Sequence, residues 1–537
     1  MSIKQTLHIH STAAKPSDLT FSRSTSATRV NNIGHIELIP ADTIRQDFNP
    51  AKVGEMMGWL LEESSSNACL QSEVFGTTWI TTNAVQTNLA SITANSVKSP
   101  DGTITGDTLA AGSSATGIVA VRQQGFTFTN GTHYTVSVFA KKKDLNFLEI
   151  SNKDDSATGM TCSQVFNLST GATGASGGTV FASGIRAFPN GWYRCEVTFA
   201  ATANSNGEVF IKTRSDNAVS TTFAATSGQG TYIWGAQVEA KKYATSYIPT
   251  TTAAVTRAAD VAYVEDTQGK WNWDVGTSIL VDATPLNTTE VVSPVYHYQN
   301  AANTDYISHM SNGKVAVVHN STSQLSANPF DTGLTAQTKM ENFRSMLSIK
   351  MNRFHLGQNG SLSPNLPDTS INVPRNNSAS EYTIKFFHGT GLTSGSGWLK
   401  QFKIFSTVVS DLDLQNLSFR TNEDAQSLQI NAVQVLDGSI SDLKLASNSV
   451  TNAKVADDAI TSAEVLDGSL SGANLAAGAV TATQIAAGTI TGTQIAANAI
   501  TSAHLGVDVI LAEDIAANAV TVSELASNAV TKIKISD

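Results

Sequence analysis

The stretch AVTATQIAAGTITGTQIAANAITSAHL, Ala479 to Leu505, places an aliphatic residue at every fifth position: Val480, Ile485, Ile490, Ile495, Ile500 and Leu505. Followed in both directions, the pattern becomes a ten-residue repeat with two aliphatic columns. One column reads Ile430, Ile440, Val450, Ile460, Leu470, Val480, Ile490, Ile500, Ile510, Val520 and Val530. The other reads Val435, Leu445, Val455, Val465, Leu475, Ile485, Ile495, Leu505, Ile515, Leu525 and Ile535. From Ile440 on, Ser or Thr follows the first column, with Leu511 the exception, and Gly, Asn or Asp stands two residues before it from Gly438 to Asn528.

A step of five residues turns about 140° on an α-helix, so the columns would scatter around it. In a straight strand the same step sends successive members to opposite faces. Both columns share a core only if the chain bends once per five residues. Gly, Asn and Asp suit such bends because they tolerate a left-handed backbone, and Thr suits the short extended pieces between them. Two aliphatic residues per unit do not offset roughly 1–2 kcal/mol per residue of backbone ordering. The reading adopted is an intertwined β shaft of three identical chains with both columns on a shared axis. A monomeric β-solenoid and a disordered Ala/Thr-rich tail are the alternatives, and the unbroken aliphatic register argues against the tail.

The rest of the chain has room for two or three domains in its 537 residues, and only 15% of them are charged. The scarcity of Glu, Lys and Arg disfavours long helices. A net charge of −10 lacks the basic stripe that nucleic acid requires, and it disfavours anionic membranes too. The opening MSIKQTLHIHSTAAKPSD has no signal-type apolar run, and no run of about 18 apolar residues occurs, which leads to the expectation of a soluble protein made in a cytoplasm. Cys69, Cys162 and Cys195 are odd in number and widely spaced, so they read as buried small residues rather than a disulfide or zinc framework.

Residues 1–17 read as an N-terminal arm. From 18 to 262, runs such as Tyr134–Lys142, Gly191–Ala201, Gly207–Arg214 and Thr231–Ala240 alternate apolar and polar side chains. They predict an antiparallel β-sandwich. A second β-rich unit spans 263–425, polar residues follow, and the repeats occupy 426–537.

Several segments resemble a known family: DLTFSRSTSATRVNNIGHIE (Asp18–Glu37), GWLLEESSSNACLQSEVF (Gly58–Phe75), SPDGTITGDTL (Ser99–Leu109), GWYRCEV (Gly191–Val197) and YIWGAQVEAKKYATSYIPTTTAAVTRAAD (Tyr232–Asp260). Together they look like the carbohydrate-binding-module-like domain of bacteriophage head-spike and tail-fibre proteins. Where that pattern has Arg-Thr-Asn, this chain has Ser65, Ser66 and Asn67. The closing GWLKQFKIFSTVVSDLDLQNLS is similar to the end of a concanavalin A-like, laminin-G-like jelly roll. There Leu399, Phe402, Ile404 and Phe405 would lie in the last strand, and Ser410 and Asp413 would open a short helix holding Leu412, Leu414 and Leu417. The decapeptides are similar to phage fibre-shaft repeats. The resemblance implies a homotrimeric virion fibre or spike, a tail fibre first of all, made in a host cytoplasm. It would display jelly-roll domains to a host cell-surface glycan and dock on other virion structural proteins. A head fibre or decoration protein without a ligand, and a polysaccharide depolymerase tailspike, are the rival functions.

No HExxH or GxxxxGK[ST] occurs. His8 and His10 sit two apart on a polar arm, and the acid pairs Glu62–Glu63 and Asp154–Asp155 are adjacent, which on a strand points them to opposite faces. The expectation is therefore a non-enzyme with no catalytic residues and no metal ligands. Jelly rolls of this kind often hold Ca²⁺, but no clustered Asp motif locates a cofactor. A sugar receptor needs aromatic faces beside short polar side chains, and Trp79, Trp271, Trp273 and Trp398 are the carbohydrate-contact candidates. Trp192 and Trp234 lie inside alternating strands and read as core.

Overall fold

The computed structural model describes residues 5–10, 15–81, 88–154, 161–219, 222–266, 276–286, 294–300, 306–310, 315–319, 322–323, 343–350, 353–359, 361–362, 382–387, 396–405, 408, 411–418, 465–466, 469–527 and 529–530. The chain forms two units, Met1–Leu428 and Gln429–Asp537. The first is all-β apart from a short 3-10 turn and one helix among its described residues.

The middle of this unit is a sandwich of a five-stranded and a six-stranded antiparallel sheet. The five-stranded order is Ala120–Phe128, Ser205–Arg214, Phe147–Asp154, Cys162–Asn167 and Ala172–Gly178. The six-stranded order is Ala182–Phe188, Trp192–Ala200, His133–Lys142, Gly230–Glu239, Gly106–Ala111 and Ala90–Val97. Alternation sorts the side chains: Tyr134, Val136, Val138 and Ala140 enter the core between the sheets, where Cys195, Val197 and Phe199 meet them. A bulge at Gly235, with φ +63°, restores the inward face for Ala236 and Val238. A Cβ there would stand 2.9 Å from the Phe139 ring, so only glycine fits the bend. All three cysteines are buried and free.

A second sandwich frames the first. Its eight-stranded sheet follows the order Ser361–Leu362, Arg353–Gln358, Phe343–Lys350, Thr277–Pro285, Gly397–Phe405, Met56–Leu61 and Arg45–Phe48, with Gln5–His10 also antiparallel to Gly397–Phe405. Its seven-stranded sheet runs from Leu19–Ser22 through Val261–Asp266, Tyr382–Phe386 and Pro294–Asn300 to Tyr306–Met310, Val315–His319 and Thr322–Ser323. Strand pairing therefore crosses position 262: Leu19–Ser22 joins Val261–Asp266, and Met56–Leu61 joins Gly397–Phe405. The arm residues Gln5–His10 form a strand of this same framework. Leu19, Trp59, Leu61, Val264, Ile279, Phe386, Leu399, Phe402 and Ile404 share one core. The helix Asp411–Ser418 closes the unit, and Leu414 packs on Leu280, Met346 and Phe405.

Chain passes from one sandwich to the other at a two-stranded ribbon, Ser65–Asn67 against Val255–Arg257. At its base the Asp260 N–H donates to the Glu62 carbonyl and the Glu62 N–H to Asp260 Oδ2, both at 2.8 Å. Around this crossing Arg23 reaches Asp260 at 2.9 Å, Arg45 bonds Asp260 and reaches Glu62 at 2.9 Å, and Arg257 approaches Glu62 at 3.6 Å. All five side chains are buried. Nearby, the hairpin Ala27–Val30/Ile36–Ile39 lays Val30 and Ile36 on Phe139, Phe188, Trp192 and Trp234. Trp192 and Trp234 are core residues there, covered on the outer face of the six-stranded sheet.

The second unit is built of turns. In successive repeats the Gln484 N–H donates to the Thr481 carbonyl, Thr489 to Ala486, Gln494 to Thr491 and Ala499 to Ala496. The second turn of each repeat carries the left-handed residue that the sequence pattern requires: Gly478, Gly488, Asn498, Asp508 and Asn518 have φ between 57° and 81°. The first turn has a side-chain cap. Acceptors on Asn474, Gln484, Gln494, His504, Asp514 and Glu524 take the N–H three residues earlier. Leu511, which breaks the Ser/Thr column, keeps this bond through its backbone N–H, so the cap needs no hydroxyl. Among the described residues of this unit one chain makes turns and no strand ladder, so the expected β character is not formed within a single chain. Both columns from Leu470 to Val530 are 40–60% exposed.

Candidate functional site

A groove of about 440 Å³ opens beside the ribbon. It is lined by Ser64, Ser66, Thr127 and Lys241, while Phe126, Phe128 and Tyr134, which also line it, are 6%, 1% and 8% exposed and belong to the core between the sheets. The strand Ala120–Phe128 reaches the groove through a bulge at Gly125, with φ +87°. Phe128 and Tyr134 pack edge to face at 4.9 Å. The Tyr134 hydroxyl accepts the Thr129 N–H at 2.9 Å, which fixes the ring.

The polar wall is tied down from behind. Ser65 Oγ donates to the buried Glu239 at 2.6 Å, and Glu239 also accepts from the Thr245 N–H at 3.0 Å. Ser66 Oγ pairs with Thr256 Oγ1 across the ribbon at 2.6 Å, and Lys241 Nζ lies 3.0 Å from Glu63. Asn67 donates to the carbonyls of Ala236 and Ile248 and accepts from the N–H groups of Cys69 and Val238, so its side chain splices ribbon to sheet. Ser65 and Ser66 stand on the groove wall. What the groove offers a ligand is short hydroxyls with one cation among its lining residues, a chemistry that suits polyhydroxylated molecules. This groove was not read from the sequence.

The tryptophan candidates lie elsewhere. Trp79 and Trp398 are each 3% exposed. Trp79 packs on Phe75 at 5.1 Å, and its Nε1–H donates to the Gln71 carbonyl at 3.3 Å. Trp398 packs with Leu60, Tyr243 and Leu286. Neither presents a free ring face to a sugar, and the reading of these two as exposed platforms is corrected: polar neighbours in sequence are not neighbours in space. Trp271 and Trp273 lie outside the described residues, as do the shaft residues Ile440, Leu445, Val450, Val455, Ile460 and Ile535.

The adjacent acids have structural partners. Burial alone would raise the Glu62 carboxyl, but the Arg257 and Arg45 guanidinia and hydrogen bonds from Ser246 overcome this and bring it from 4.5 to about 2. Glu63 accepts from the Tyr243 hydroxyl at 2.7 Å. Asp47 accepts from Trp398 Nε1–H at 2.7 Å and from the Val30 N–H at 2.6 Å, and burial raises its carboxyl. Trp398→Phe leaves that buried oxygen without its donor. It is expected to cost about 1–3 kcal/mol of unfolding free energy, read from the urea midpoint.

No protein-family model matches the chain, and no curated protein matches it. Among solved structures, the chain is similar to domain 4 of AbnA, a GH43 extracellular arabinanase from Geobacillus stearothermophilus, in complex with arabinotriose. That likeness covers 32% of this chain and 80% of the other at 10% identity, with a TM-score of 0.25. The N-terminal CBM22-1-CBM22-2 tandem domain of Xyn10C from Paenibacillus barcinonensis is similar over 65% of this chain and 98% of its own, at 9% identity and a TM-score of 0.20. These are weak neighbours, and nothing about this chain's ligand is drawn from them.

Proposed function

We propose that the protein is a non-enzymatic virion fibre or spike protein, in the first instance a bacteriophage tail fibre, that trimerises through its decapeptide unit and displays glycan-binding sandwiches to a host surface. The observation that carries this reading is the pair of aliphatic columns, regular in sequence over the whole array and 40–60% exposed in one chain from Leu470 to Val530. A monomeric solenoid would cover its own columns, whereas chains wound about a common axis cover each other's. The resemblance of the N-terminal segments to phage head-spike and tail-fibre domains supports the virion assignment. The groove at Ser64, Ser66 and Thr127 supplies hydroxyls for a sugar. Three tethered copies of it turn contacts of about millimolar strength into useful avidity.

Light scattering tests the assembly. The whole chain is expected to have the mass of three chains, and a chain ended at Gln429 the mass of one. Equal monomeric masses would remove the fibre reading and the avidity argument with it.

A further inference from the structure

Two arginines face each other on the inserted sandwich. Arg186 and Arg194 are direct antiparallel partners on the edge pair Ala182–Phe188 and Trp192–Ala200. Like charges at directly opposed positions destabilise a sheet. Both side chains line one cleft of about 170 Å³, whose other walls include Gly184, Glu196, Ala244 and Leu286.

Arg194 is 5% exposed. Its Nη1 donates to the Thr245 carbonyl at 2.7 Å and its Nη2 to Ser137 Oγ at 3.0 Å, while its Nε has no hydrogen-bond partner. The Arg186 guanidinium stands over Phe188, 5.4 Å from the ring centre. Among the described residues neither arginine has an ion-pair partner. Buried charges are as a rule paired, and a buried donor left empty calls for a reason.

The carboxylates around the pair are engaged. Glu239 is held by Ser65 and Thr245, Glu62 by Arg45 and Ser246, and Asp47 by Val30 and Trp398. Glu196 stands across the strand pair from Gly184, where a Cβ would come within 2.9 Å of its Oε1, so the glycine leaves room for that carboxylate on the cleft wall. Burial, and after it the charge of Arg186, lower the Arg194 pKa; Glu239, Glu196 and Glu62 act against this. The pair is thus a costly arrangement that an anion would relieve.

We propose that this cleft binds the oxyanion of an acidic saccharide between Arg186 and Arg194, with Glu196 accepting sugar hydroxyls and Ala244 and Leu286 meeting the ring. Guanidinium forks suit a carboxylate or phosphate held by two parallel hydrogen bonds. The proposal rests on the glycan-binding reading and adds to the sandwich a second site of opposite chemistry to the hydroxyl-lined groove.

Calorimetric titration of the whole chain with an oligogalacturonate, a phosphorylated mannose oligosaccharide and a neutral galacto-oligosaccharide tests it. The first two arms separate a carboxylate from a phosphate source, and binding of either supports the site. Arg186→Gln is expected to weaken the acidic ligand at least about tenfold and leave any neutral binding unchanged, with a ligand-free melting temperature equal to or above that of the parent. Arg186→Lys keeps the charge, loses the fork and falls between them. Unchanged acidic binding in Arg186→Gln, or no acidic binding by the parent, overturns the proposal. Neutral binding alone would leave the general glycan reading standing, and silence with all three probes would remove both.

Discussion

Replacing Asp260 with alanine lowers the unfolding free energy of the chain by about 3–5 kcal/mol, the range for breaking a buried ion pair from one side. Asp260 sits where the chain returns from the inserted sandwich. It answers Arg23 at 2.9 Å, bonds Arg45, accepts the Glu62 N–H at 2.8 Å and lies 3.9 Å from Arg257. Without it Arg45 and Arg257 are left to the single carboxylate of Glu62, and Arg23 loses its carboxylate partner. The knot also clamps the two passages of the chain between the sandwiches, so its loss weakens both. Urea unfolding followed by tryptophan fluorescence reports this, because Trp59 and Trp398 lie in the framing sandwich and Trp192 and Trp234 on the inserted one. A midpoint that stays put would mean that the ribbon and its hydrogen bonds hold the junction without the charges.

The same knot sets an acid limit. Glu62 has a folded pKa of about 2 against an ordinary 4.5, so its contribution is fully present above 4.5 and fades as pH falls from there through 2. A depression of that size is worth about 3 kcal/mol. Stability measured between pH 5 and pH 2 is expected to fall by most of that amount through Glu62 in the parent, and by less once Glu62 is replaced with Gln.

The strands of the inserted sandwich were legible because each carries its own record of burial. Tyr134–Lys142 and Thr231–Ala240 alternate, and alternation names the buried face without any knowledge of the partner. The left-handed turn residues were legible for the same reason, as a local preference, whereas the closing strand Gly397–Phe405 and the short helix after it were reached through the resemblance of their segment to a jelly-roll ending. Partnership is another matter. Nothing within Met56–Leu61 says that it pairs with Gly397–Phe405, more than 300 residues away, so the framing of one sandwich by the other was not readable. The ion knot hides in the same way, since residues 23, 45, 62, 257 and 260 are isolated charges until the crossing gathers them. The opposed arginines were equally silent: Arg186 and Arg194 look like ordinary strand charges until the hairpin between them turns at Pro189–Gly191 and sets them face to face.

Substituting Ile485, Ile490 and Ile495 with Asp is expected to reduce the solution mass from three chains to one. These residues are 40%, 53% and 40% exposed in a single chain. Completing the burial of a half-exposed aliphatic side chain is worth roughly 1 kcal/mol. Summed over the columns from Leu470 to Val530 this exceeds about 10 kcal/mol per chain, comparable to the cost of association of roughly 4–15 kcal/mol. Three adjacent carboxylates per chain around one axis remove part of that gain and add the penalty of burying charge. The turns themselves are left intact, because Gln484 and Gln494 still cap Thr481 and Thr491 and the left-handed positions Gly488 and Asn498 are unchanged. A fall in mass with the turns preserved therefore locates association in the columns. Retention of the three-chain mass would place it in the sandwiches, and the shaft would then be a passenger of an assembly made elsewhere.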